Sequence, residues 1–335
     1  MSLVMQLRNA LIHSTGMYAP ERVVTNSYFD ELLGEPVSEW LEQNVEIYER
    51  RWCNENQSTA DLCVEAALDA LKNGNIKADE IDLLVISTDT PEYISPSTAS
   101  KVQYLLGMKR AGTFDLNTAC AGFVTALDLG AKYIRADANY NTVMIIGAYA
   151  MSKYLNMSDK KTVTLFADGA GAIILKASEN TDRGFLASQL ITKGEYFGHM
   201  GIYAGGTKLP VSHSVVENKD HLLKFVTKFP KELNTEMWSM MARELNSRIG
   251  VEPSDVDHYF LTQININTIR ETMNRLGVDQ TKAPTVMHYY GYTGSACIPF
   301  ALHQTIQQGK VKRGDLMYFI GSGGGLAFAS AAFRY

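Results

Sequence analysis

The chain has 335 residues, 46% hydrophobic and 20% charged, close to the soluble globular average, which excludes disordered and fibrous classes. Lysine and arginine number 31 against 36 aspartates and glutamates, a formal net charge of −5, so no global basic field exists to hold a nucleic acid by counterion release. At about 150 residues per domain, the length allows two domains or one doubled fold.

In chain order, strand-like apolar runs recur at Ile81–Thr88, Thr142–Ile146, Ala172–Lys176, Tyr259–Leu261 and Leu316–Ile320, with helix-like segments between them. Such alternation predicts an α/β fold. Ser58 to Lys72 reads as a helix, with a Ser/Thr start before apolar residues at helical spacing and Asn73-Gly74 as its stop. A second helix is predicted from about Gly122. No long linker separates two modules, and the polar, turn-rich stretch 177–184 is the expected boundary, giving halves 1–178 and 179–335. Segment 207–240 mixes lysines with Val215, Leu222, Leu223, Phe225 and Phe229, the pattern of an amphipathic surface helix or a lid. Leu316 to Phe333 carries no charge, but Gly321–Gly325 breaks any helix, so a buried strand-loop-strand is expected rather than a membrane span.

Cys53, Cys63, Cys120 and Cys297 are scattered without a CxxC pair, and no two histidines stand at i, i+4. Free thiols in a reducing compartment and no metal site are expected. Gln6, Arg8 and Asn9 interrupt the apolar residues at the start, so no secretory h-region can be drawn and a cytoplasmic protein is expected. Gly169–Ala172 and Gly321–Gly325 do not give a GxGxxG loop in a strand-turn-helix context, so no bound cofactor is expected.

The most informative stretch is Asp115–Gly130, where Cys120 stands between a short strand and an Ala/Leu-rich helix. A helix N-terminus lowers a thiol pKa and offers backbone N–H groups to an oxyanion. Ala119, Ala121 and Gly122 leave room for a substrate carbonyl. The local pattern leaves two readings open, a nucleophile or a buried core thiol.

Seven pieces together carry a resemblance: Tyr18–Thr25, Tyr48–Trp52, Ser87–Ser97, the Cys120 segment, Leu165–Ala172, Ala204–Thr207 and Gly323–Gly325. In order and spacing the chain resembles the β-ketoacyl-acyl-carrier-protein synthase III family of the thiolase superfamily along essentially its whole length. The resemblance implies a thiolase-like fold, two similar five-stranded α/β halves packed as αβαβα layers, usually in a homodimer. It implies that Cys120 takes an acyl group from a coenzyme A thioester, and that a malonyl unit on acyl carrier protein is decarboxylated to attack it. By the same resemblance, backbone N–H groups of Cys120 and the Gly323–Gly325 loop, Gly324 in particular, hold the acyl oxyanion, and a His and an Asn hold the enolate.

The sequence departs from the family at those two side chains. The pattern His-Gln-Ala-Asn falls on Thr262-Gln-Ile-Asn265, and Gly-Asn-Thr-Ser falls on Gly291-Tyr-Thr-Gly294, so Thr262 and Tyr292 replace the histidine and asparagine. Three readings follow. One is a ketosynthase with a rebuilt site, in which Tyr292 and Thr262 donate hydrogen bonds and His288 is a substitute acid or base. Another is an acyltransferase passing the Cys120-bound group to an oxygen, nitrogen or sulfur nucleophile without decarboxylation. The third is a non-catalytic partner subunit of a complete synthase. His199 and Glu92 are weaker candidates beside His288, each with an ordinary structural reading.

Trp52 stands where the resemblance places the ring that stacks on the adenine of coenzyme A. Asn265 and Phe123 are expected at the substrate, with Met200 and Tyr203 shaping the pocket. Acidic carrier protein would need a basic patch, for which Arg270, Arg275, Lys310, Lys312 and Arg313 are available. The basic residue that relatives carry five positions after the histidine is here Asn267.

Overall fold

In the computed structural model, the structure describes residues 8–179 and 182–335. Its first half contains β1 (Asn9–Tyr18), α1 (Thr59–Gly74), β2 (Leu83–Ser87), α2 (Thr98–Leu106), β3 (Gly112–Leu116), α3 (Gly122–Ala136), β4 (Thr142–Ala150) and β5 (Asp168–Ser178). The second half contains β6 (Gly184–Thr192), α4 (Leu233–Ile249), β7 (His258–Leu261), α5 (Ile266–Leu276), α6 (Cys297–Gln307), β8 (Leu316–Gly323) and β9 (Ala327–Arg334).

The first sheet has the order β1-β5-β4-β2-β3 and the second the order β6-β9-β8-β7. Matched element by element these are one topology used twice. β2 pairs in parallel with β3 and β4, and β7 in parallel with β8. The outer pairs β1–β5, β4–β5, β8–β9 and β6–β9 are antiparallel. Helices α3 and α6 lie between the sheets, while α1 and α4 cover the outer faces, giving αβαβα layers. The middle layer explains the composition of α3: with a sheet on each side, ten of its 15 residues are buried and it has no solvent face of any width.

The apolar runs read from the sequence all become strands, several longer than the runs suggested. Ala172–Lys176 grows to Asp168–Ser178, and Leu316–Arg334 forms the expected strand-loop-strand. Helix α1 runs two residues past Lys72, and its stop is Asn75 in the left-handed region (φ +50°) rather than Gly74. Its start is a capping box, with the Asp61 carboxylate accepting from the Ser58 N–H at 2.8 Å. Segment 207–240 is not one amphipathic helix. It contains a short helix, His213–Glu217, and the strand Lys224–Phe225, which pairs with Met200–Gly201 before α4 begins.

The second half departs from the expected five strands. Among the described residues its sheet has four, because the chain that would run beside β7 passes through Pro284, which has no N–H to give a ladder. Gln263 supplies the missing pairing. Its wholly enclosed amide donates to the Pro284 carbonyl at 3.0 Å and accepts from the N–H groups of Val286 and Met287 at 2.8 and 3.2 Å. Gln263→Ala should leave the buried Met287 N–H and the half-buried Pro284 and Val286 groups without this partner and lower unfolding stability by about 1–3 kcal/mol, the cost of one buried unpaired group. Urea titration of the variant measures this, and a loss below about 0.5 kcal/mol would show that the segment is held by packing alone.

Candidate active site

Cys120 sits at the carboxyl end of the first sheet, just beyond β3, in a tight turn of Ala119–Ala121 that leads into α3. Ala119 takes φ +47°, a left-handed conformation costing an alanine about 1 kcal/mol. The turn is tied down from both sides. The Asn117 side chain accepts from the Ala119 N–H at 2.9 Å, and Ser295 Oγ donates to the Ala119 carbonyl at 2.7 Å. The loop after β8 closes over it so tightly that a Cβ on Gly323 would lie 2.5 Å from the Cys120 nitrogen.

Cys120 opens on a cavity of about 240 Å³ whose walls include Asp89, Asn117, Tyr149, Met200, Tyr203 and Leu223, with Gly324 and Gly325 at one side. The side chain is 3% exposed. Burial pushes its thiol well above the usual value, the neighbouring Asp89 carboxylate adds to that, and a hydrogen bond with the Tyr292 hydroxyl offsets part of it. This corrects the expectation of a thiol acidified by the helix N-terminus: desolvation outweighs the dipole, and the resting form at neutral pH is the thiol. The other three cysteines, like Cys120, are free and buried, and among the described residues no cluster of His, Cys, Asp or Glu is arranged to hold a metal.

Tyr292 is brought to Cys120 by the loop after the Met287–Tyr290 turn. Its backbone pairs with Leu165 and Ala167 at 2.9 Å each, and its ring packs on Phe166 at 5.3 Å. Arg50, wholly buried, braces this loop from behind. It donates to Asn26 Oδ1 at 2.8 Å and to the Thr164 carbonyl at 2.7 Å, and desolvation lowers its guanidinium to about 9. Thr262 lies behind the cysteine turn but does not reach the cavity. Its hydroxyl accepts from the Ser322 N–H at 3.1 Å, a link within the sheet.

Several residues singled out from sequence lie elsewhere. His288 has both ring nitrogens engaged, Nδ1 with the Glu46 carbonyl at 2.6 Å and Nε2 with Thr285 Oγ1 at 3.0 Å, and faces a different groove. It joins two loops and is not an acid or base of this cavity. Asn265 is exposed and caps α5 by accepting from the Asn267 N–H at 2.9 Å, so it does not meet a substrate at Cys120. Phe123 is fully enclosed between the sheets and forms no wall of the cavity. His199 stacks on Phe229 at 5.2 Å, and Glu92 accepts from the Ala60 N–H at 3.0 Å at the start of α1 while paired with Lys101. Arg270 is paired with Glu46 and Arg275 with Glu232 and Glu271, so neither offers a free charge to an acidic partner.

Trp52 is 3% exposed, with Nε1 donating to the Phe166 carbonyl at 2.9 Å and its ring against Tyr28 and Phe29. No face is left for a nucleotide to stack on. The tryptophan that does present a face is Trp40, 56% exposed in a groove of about 430 Å³ with Val37, Leu41, Lys160 and Lys161.

Asp89 and Trp40 are the residues that sequence reading passed over. Asp89 had a readable signal: it is an acid two residues beyond a wholly buried parallel strand, where α/β sheets bind ligands, and β3, leading to Cys120, is the next strand. Trp40 had none, since nothing in its neighbourhood tells an exposed ring from a buried one.

The profile of 3-oxoacyl-[acyl-carrier-protein (ACP)] synthase III matches residues 114–194, and that of the same enzyme's C-terminal part matches 247–335. The β-ketoacyl-[acyl-carrier-protein] synthase III of Syntrophomonas wolfei is 32% identical over 320 residues, 96% of each chain. The crystal structure of 3-oxoacyl-[acyl-carrier-protein] synthase III from Aquifex aeolicus superimposes with a TM-score of 0.87 at 30% identity, covering 97% of this chain and 100% of that one. The priming β-ketosynthase of the R1128 polyketide pathway superimposes with a TM-score of 0.88 at 26% identity, covering 99% and 97%. Profile matches in both halves, identity along the full length and the shared doubled topology place this chain in the 3-oxoacyl-[acyl-carrier-protein] synthase III family, the condensing enzymes of the thiolase fold.

Proposed function

We propose that this chain takes an acyl group from a coenzyme A thioester onto Cys120 and passes it to a second substrate in a ketoacyl synthase III-like reaction. The observation that carries this reading is Cys120 itself, held in a strained turn at the floor of an open cavity with a glycine loop against it. A subunit with no site of its own would have no use for that arrangement. Attack by sulfur on the thioester carbonyl puts charge on the carbonyl oxygen, to which the N–H groups of Cys120 and Gly324 donate, as the family resemblance implies. The Tyr292 hydroxyl, bonded to the sulfur, stabilises the thiolate both as it forms and as it leaves.

For coenzyme A, the support comes from Trp40 with Lys161, an aromatic face beside a cation, which suits a phosphorylated adenine nucleotide; Lys160 in the same groove is paired with Glu35 at 2.9 Å. Against a simple copy of the family's second step stand Thr262, whose hydroxyl accepts from the Ser322 N–H, and Tyr292, which the alignment puts at the asparagine's position. As in relatives, two copies pair; the uncovered edge of β3 and the neighbouring helix α2, with Tyr104 81% exposed, form the face we assign to that contact. No helix among the described residues is long and apolar enough to cross a membrane.

Intact-protein mass after incubation with a panel of acyl-CoA thioesters tests the loading step: the wild type should gain one acyl group and Cys120→Ala none. An adduct persisting in that variant would remove Cys120 as the nucleophile. Tyr292→Phe should slow loading about 10- to 100-fold with the fold retained, as expected for loss of one transition-state hydrogen bond. Trp40→Ala should raise KM for acyl-CoA about tenfold while leaving a short N-acetylcysteamine thioester unaffected. Equal effects on both donors would move the nucleotide site elsewhere.

A further inference from the structure

No histidine, lysine or arginine lines the Cys120 cavity among the described residues. Its ionisable walls are Cys120, Asp89, Tyr149 and Tyr203, and its only carboxyl is that of Asp89. Asp89 follows β2 as Cys120 follows β3, so adjacent parallel strands deliver both side chains to one opening. The residue is only partly buried, yet its Oδ1 is shut off from solvent and makes no hydrogen bond. An enclosed carboxyl oxygen without a partner is unfavourable for folding and is retained where the site uses it.

We infer that Asp89 is the general acid–base of this site, and that the acyl group on Cys120 goes to an acceptor carrying its own proton, a thiol, hydroxyl, amine or acidic C–H, rather than to a decarboxylating malonyl unit. The inference rests on the Cys120 reading above. In loading, Asp89 takes the thiol proton as sulfur bonds to the acyl carbon, and returns it to the departing coenzyme A sulfur. In transfer, the acceptor X–H bonds to the acyl carbon through X and its proton goes to Asp89. The carbon–sulfur bond breaks, and Asp89 gives the proton back to Cys120. Protons and charge balance over the cycle. Decarboxylation has no such proton to remove, because the breaking C–C bond supplies the electron pair, and a carboxylate at the cavity would repel malonate's own.

The protonation behaviour fits the role. Burial raises the Asp89 carboxyl to about 7, where it both accepts and returns protons at neutral pH. The titratable groups that feel its charge are Cys120, Tyr149 and Tyr154, all pushed upward and so neutral there.

The test loads the full-length protein from acetyl-CoA and discharges it with N-acetylcysteamine, following both steps by intact mass from pH 5.5 to 8.5. Wild-type rates should rise with pH through an inflection near 7 as Asp89 ionises, and Asp89→Asn should slow both steps about 100-fold and abolish the inflection. Asp89→Glu, which restores the carboxyl, should recover part of the rate and shift the inflection. A variant that loads and discharges at wild-type rates, or a wild type without the inflection, overturns the role. Carbon dioxide release from malonyl-CoA by the acetylated enzyme, at a rate matching the thiol discharge, overturns the acceptor class. If the wild type takes no acetyl group from any thioester, the Cys120 reading has failed instead.

Discussion

The site depends on a contact in which the two halves meet backbone to backbone, with no room for a single added carbon. A Cβ on Gly147 would stand 2.2 Å from the Ser295 carbonyl oxygen, and one on Gly323 would stand 2.5 Å from the Cys120 nitrogen. The turn before α3 and the equivalent turn before α6 therefore press directly together, with Ser295 Oγ reaching the Ala119 carbonyl. Two helices of the central layer start at this point from opposite halves, and Cys120 is fixed by both. Because the approach is set by backbone atoms, it tolerates almost no adjustment, and the cavity inherits that rigidity.

Electrostatics around this contact works against stability. Arg50, Asp89, Cys120, Tyr149 and Tyr292 are all shifted toward their uncharged forms by burial. For Asp89 the sign is explicit. Its native value of about 7 lies above the 3.8 of an unperturbed aspartate, so the native state holds the proton more tightly, and stability falls as pH rises between the two. Such a cost is ordinary at a reactive site and is offset by the apolar core that encloses it. The Thr262 hydroxyl is taken up by the sheet, and the carboxyl that lines the Cys120 cavity, that of Asp89, comes from a different loop.

The fold was largely legible in the sequence because burial on both faces writes long apolar runs, and β4 and β8 are such strands. Less legible were β1 and β6, whose residues are mixed because each lies at the edge of its sheet, and the missing fifth strand of the second half, where one side chain, Gln263, stands in for a ladder. Cys120 stood out in the sequence because a small-residue turn between strand and helix is a local pattern, and the structure places it in such a turn. Trp52 and His288 were misjudged because their surroundings come from distant segments, Phe166 closing on Trp52 and Glu46 engaging His288, while Asn265 only caps its own helix.

What the sequence by itself determined is therefore the α/β architecture and the family, both carried by periodicity and short contiguous motifs, and it singled out Cys120 among the four cysteines. Tertiary structure alone decided which side chains share the cavity with Cys120. Proximity between Asp89 and Cys120, or between Tyr292 and the sulfur, is created by strand pairing across the sheet and by the packing of one half on the other. Protonation was decided there too, because it follows from how much water the packed halves exclude, a quantity that no stretch of neighbouring residues contains.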